Sequence, residues 1–141
     1  MREGILNPVE ILVNIRWHPE TRRYIWTYEG EGVDPTTGNL KLKNGGRTSI
    51  TYKLDDDCTE SYQLLYVNLD PGNCATSQIE QVDMHHEENS ITIIDRNEFG
   101  NTGMTPFSLR LVARMRDKIA SGFLSPDPQV TNSPNIPCMS Q

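Results

Sequence analysis

A chain of 141 residues with 35% hydrophobic residues can bury one real core, but its surface must be strongly polar. The net charge of −6 excludes the basic footprint of a nucleic-acid binder, and no run nears the ~18 apolar residues of a membrane span. Cys58, Cys74 and Cys138 are odd in number and lack CxxC spacing, which argues against a disulfide framework and a structural zinc site. The first residues have no signal-peptide pattern, so the cytoplasm is the default location. The local basic excess of Arg110, Arg114, Arg116 and Lys118 reads as a solvated face.

The first predicted element is a half-buried strand. Val9, Ile11, Val13, Ile15 and Trp17 alternate with mostly polar residues, broken by Leu12. His18-Pro19-Glu20-Thr21 makes a turn, because proline fixes φ and lacks the ladder donor. Tyr24, Trp26 and Tyr28 line one face of a second strand. A Gly-, Asp- and Pro-rich loop follows, then Leu40 and Leu42 alternate with lysines, and Ile50, Tyr52 and Leu54 resume after Asn44-Gly45-Gly46. The first half therefore reads as a meander with turns every ~8–12 residues.

Asp55-Asp56-Asp57 opens the next loop, and it fails as a calcium site because Glu60 stands where that loop needs glycine. Tyr62, Leu64 and Tyr66 form another strand, Ile79 to His85 a further one, and Ser90 to Ile94 a short buried one. Phe107 to Met115 needs arbitration, since Thr105-Pro106 also suits a helix start. Its odd-numbered residues Phe107, Leu109, Leu111, Ala113 and Met115 alternate over nine positions, and the segment is read as a strand with those side chains buried. The whole is predicted as an all-β, single-domain antiparallel sandwich of immunoglobulin-like form over residues 1–125. Residues 126–141 form a Pro-rich tail. Pro126, Pro128, Pro134 and Pro137 are expected to keep that tail out of any central strand and lay it over the surface.

Little in the sequence carries chemistry. His85-His86 precede Glu87-Glu88, but adjacent strand residues face opposite ways and no third ligand has a recognisable spacing. No metal or other cofactor is implied, and no nucleophile motif or phosphate loop is present. Asp-Pro pairs remain at Asp34-Pro35, Asp70-Pro71 and Asp127-Pro128. The first two read as turn chemistry. The bond is nonetheless distinctive, because the Asp carboxyl reaches its own carbonyl carbon in a five-membered ring and expels the basic prolyl nitrogen. Such placement supplies effective molarities of about 10⁵–10⁸ M when the geometry is right. A second carboxylate activating water is the other route.

The closing run Ser125-Pro126-Asp127-Pro128-Gln129-Val130-Thr131-Asn132-Ser133-Pro134 resembles the tail of the small bacterial DP-EP family. That resemblance implies a β-sandwich that cleaves itself between Asp127 and Pro128 by aspartic-peptidase-like chemistry, with capture of the aspartyl group by a lysine as a further step. Ser133 stands where the family pattern leads one to expect an acid. Arg110 lies on the strand before the tail and stays protonated, too poor a nucleophile for capture, which leaves Lys118 as the cross-link candidate. Asp95 is the first choice of helper acid, because the end of a buried strand half-desolvates a carboxylate; Glu98 is second. The competing reading is a non-catalytic sandwich used for binding or assembly, with an unknown protein partner.

Overall fold

The computed structural model describes residues 7–42, 47–70, 79–95, 107–116, 122–124 and 129–131. Its strands are β1 Asn7–His18, β2 Arg23–Glu29, β3 Leu40–Lys41, β4 Thr48–Leu54 and β5 Tyr62–Asp70. They continue with β6 Ile79–His85, β7 Ser90–Asp95, β8 Phe107–Met115, β9 Gly122–Leu124 and β10 Gln129–Thr131. Short 3-10 turns occupy Asp56–Cys58 and His86–Glu88. No described helix is long and apolar enough to cross a membrane.

The strands form two sheets. The first runs β2-β1-β4-β7-β6 and the second β3-β10-β8-β5, with β9 also paired to β8. The alternation in the sequence sets which face of each strand is buried. Ile11, Val13 and Ile15 of β1 meet Ile50, Tyr52 and Leu54 of β4 and Ile91 and Ile93 of β7; Leu40, Leu64, Leu109, Leu111 and Ala113 come from the second sheet. All belong to one core cluster. Removing a γ-branched or β-branched member of such a core typically costs about 2–5 kcal/mol.

Three expectations are corrected. The first half is not a meander: β1 pairs with β4 in parallel, while β3 belongs to the other sheet. Nor is the pairing purely antiparallel, because β10 and β3 are also parallel. The tail, finally, is no surface strap at residues 129–131. Val130 pairs with Leu40 on one side and Phe107 on the other, so β10 is a central strand. The prolines at 128 and 134 lie outside those three residues, which keep every backbone donor.

Ile11, Val13 and Ile15 of β1 and Leu109, Leu111 and Ala113 of β8 are buried as expected, but Val9 and Met115 are only partly buried, Val112 on the opposite parity is buried too, and the Phe107 side chain lies outside the described residues. Trp17 departs from the expected burial and is 47% exposed. It stands at the rim, where its ring meets Tyr24 edge-on at 5.0 Å and Tyr24 in turn meets Tyr62 at 6.0 Å.

Two small polar residues fasten the sheets at this rim. Asn89, buried and left-handed at φ 57°, takes a conformation that asparagine tolerates better than most residues. Its Oδ1 accepts from the Leu64 N–H at 2.8 Å, and its carbonyl accepts from the Leu54 N–H at 3.0 Å. One residue thus joins β4 of the first sheet to β5 of the second. Cys58 Sγ lies 3.3 Å from the Ile15 carbonyl, to which it donates, and 3.4 Å from the Ile15 N–H, tying the β4–β5 connection to β1.

Asn89→Ala should lower stability by about 2–4 kcal/mol in urea denaturation, since it orphans a buried N–H and strains a left-handed backbone. Asn89→Asp, which keeps the acceptor, should lose less. Tyr52→Phe should be neutral or stabilising by about 1 kcal/mol, because the buried Tyr52 hydroxyl has no hydrogen-bond partner among the described residues. A loss above that size would show that the hydroxyl is satisfied.

Candidate functional site

Of the three Asp-Pro pairs, Asp34-Pro35 is described in full and Asp70 as a strand residue. Asp34 sits in a turn where its Oδ1 accepts from the N–H groups of Thr36 and Thr37, each at 2.9 Å. Those donations, Thr37 first, hold its carboxyl below the ordinary 3.8. The carboxylate is committed to donors further along the chain, and the Pro35 carbonyl is itself engaged by the Tyr28 N–H at 3.0 Å. Asp70 is the last residue of β5 and stands opposite Ser108 of β8.

Asp127 and Pro128 lie outside the described residues, but the chain on both sides of them is described. One edge of β8 is taken by β5 along residues 108–115. The other edge carries β9, with Val112 opposite Leu124, and then β10, with Ser108 opposite Gln129. Between those pairs β8 has three residues, 109–111, and the returning chain has four, Ser125 to Pro128. The registers before and after the Asp-Pro pair therefore differ by one residue. Within that interval Leu109 and Leu111 are buried in the core, and Arg110 is exposed.

Asp95, the first candidate helper, ends β7 and is fully buried. By the two-residue period it shares the inward face with Ile91 and Ile93. It stands opposite Thr48, also buried, on one side and Ile79 on the other. The row continues to Asn7 on β1, opposite Thr48, so Asn7, Thr48 and Asp95 form a polar end row in an otherwise apolar face. Beside that row a cleft of about 270 Å³ is lined by Asn7, Thr48, Glu10, Glu31, Lys41 and Leu42 among others. Glu98 and Lys118 lie outside the described residues.

Lys41 is a feature that sequence reasoning missed. It lies on β3 opposite Thr131, four residues after Asp127, or about 13 Å of extended chain. No local signal pointed to it, because the pairing joins residues 90 positions apart. Lys53 is on β4 of the other sheet. Burial pushes the Cys58 thiol up, and the Asp55 and Asp57 charges add to the effect. Of the cysteines, Cys58 is free and buried; Cys74 and Cys138 lie outside the described residues.

Comparison with protein-family models matches the one described as the DP-EP family over residues 7–134. No curated protein matches. Among solved structures, the crystal structure of inclusion body protein PixA from Burkholderia cenocepacia is similar at 12% identity and a TM-score of 0.44, covering 91% of this chain and 94% of that one.

Two measurements check this geometry. Asp34 should titrate below 3.8 by carboxyl NMR. Being depressed in the fold, it favours the folded state above its unfolded pKa, and that contribution fades as pH falls through its folded value. A midpoint at or above 3.8 would mean the turn is not formed. Cys58 should resist thiol reagents at neutral pH until the chain is unfolded. Labelling of Cys58 in the folded chain would contradict its burial.

Proposed function

The chain belongs to the DP-EP family, and from that premise we propose that it processes itself by hydrolysing the Asp127-Pro128 bond. The observation that supports this is the bracketing of the bond by β9 and β10 on a single edge of β8. The carboxylate and the carbonyl it attacks belong to one residue, and such intramolecular attack gains its large effective molarity when the backbone holds the ring-closing geometry.

The proposed step begins with an Oδ of the Asp127 carboxylate attacking the carbonyl carbon of the same residue. The C–N bond to Pro128 breaks and the prolyl nitrogen takes a proton, becoming a free secondary amine. Water then opens the cyclic anhydride and returns Asp127 as a C-terminal residue with both carboxyls. In the two-acid variant, Asp95 or Glu98 activates water against the same carbonyl. If an amine intercepts the anhydride instead, an isopeptide forms with Lys118, the lysine of the β8–β9 connection. Lys41, beside Thr131, is the second amine to compare.

A second reading draws on β10 itself. A strand with partners on both sides completes the second sheet whether or not the bond breaks, so the tail also serves a non-catalytic binding or assembly module.

Intact mass and N-terminal sequencing of purified protein at neutral pH decide between these. The self-processing reading expects a slowly accumulating fragment that begins at Pro128, and none from Asp127→Asn, which lacks the attacking carboxylate. Asp34-Pro35 should stay whole, because its carboxylate is held by Thr36 and Thr37. Equal breakage at all three Asp-Pro bonds would mean the fold adds nothing, and an intact chain after days would end the proposal. Loss of cleavage in Asp95→Ala, with the fold retained, would give Asp95 the water-activating role; retention would move it to Glu98 or to Asp127 alone. A linked peptide containing Lys118 would identify the capturing amine, and one containing Lys41 would reassign it.

A further inference from the structure

We propose that the slot between β3 and β8 is a strand-acceptor site that takes the tail of a second copy of this chain. In the order β3-β10-β8-β5, β10 is what joins β3 to the rest of the second sheet. It does so with a very short element: Val130 and Thr131 pair with Leu40 and Lys41, and Gln129 and Val130 pair with Ser108 and Phe107. If those three residues leave, two strand edges open at once, one on β3 and one on β8. Open edges of this kind recruit another strand, main-chain hydrogen bonds giving affinity and side-chain alternation giving selectivity.

The slot also specifies its occupant. An entering strand must run parallel to β3 and antiparallel to β8, and Leu40, fully buried, lies opposite the Val130 position. A second copy's Gln129-Val130-Thr131 meets these registers residue for residue, so reciprocal exchange replaces every pairing it removes, as domain swapping requires. Four residues join β9 to β10, and two of them are proline, which has no N–H to give a ladder. The inference rests on the β10 pairing and not on cleavage; hydrolysis at Asp127-Pro128 would simply free the tail to exchange.

Two full-length chains test it, the wild type and Val130→Pro, whose own strand lacks a ladder donor at its centre. The probe is a fluorescent synthetic peptide spanning Pro128–Gln141, followed by anisotropy. The Val130→Pro chain should bind it at least tenfold more tightly than a peptide carrying the same proline. It should also bind it at least tenfold more tightly than the wild type does, whose tethered strand competes at a high effective concentration. Equal binding of the two peptides, equal binding by the two chains, or no binding would overturn the proposal. If Val130→Pro fails to fold alone, the native peptide present during refolding should restore the β-sheet circular dichroism and the denaturation midpoint, and failure to do so counts against the slot. Refolding the wild type from urea at high concentration should give a dimer by native mass spectrometry that Val130→Pro does not form. A wild type that stays monomeric, or a dimer that survives the proline, would remove the second copy as occupant.

Discussion

The second sheet depends on three residues of the tail. Among the described residues, β10 is the hydrogen-bonded path that joins β3 to β8. The parallel pairing to β3 is needed because the tail arrives from β8 already running antiparallel to it.

Individual strands were legible in the sequence wherever one face is buried. Ile11, Val13 and Ile15, or Leu109, Leu111 and Ala113, give a two-residue period that no helix reproduces. Partner choice was not legible. Nothing near Val9 announces that it will lie parallel to Ile50, because that pairing is settled by how the two inner faces fill one core. The tail was misread for a different reason. Proline density over the sixteen residues from 126 to 141 argues against a strand, whereas a strand is broken position by position; Gln129 to Ser133 is a proline-free window long enough for β10.

At the candidate site, the sequence pointed to the reacting pair and its neighbours but not to their surroundings. Asp95 was picked out as the end of a buried strand, and it is buried, in a row with Thr48 and Asn7 facing the other sheet. The joint at Asn89 went unnoticed, although an asparagine between a Glu-Glu pair and a β-branched run suits a left-handed residue leading into a strand. Lys41 could not have been found without the β3–β10 register, which is a tertiary fact.

One dipeptide occurs three times here with the same covalent chemistry each time, so any difference in reactivity must come from the fold. At Asp34 the carboxylate is spent on two backbone donors and the bond is part of a settled turn. At Asp70 the residue is the last of β5 and, among the described residues, is paired on one edge, to Ser108. At Asp127 strands on either side are fixed to one edge of β8 in registers one residue apart. Ring closure needs the carboxylate free of other donors and close to its own carbonyl. The first setting denies that freedom, and the second restrains the chain from one side. In the third, the described strands on either side pair with the same edge of β8. The attacking carboxylate and the attacked carbonyl belong to the same residue, so intramolecular acyl transfer there turns on the backbone and side-chain angles of that one residue and not on holding two partners together.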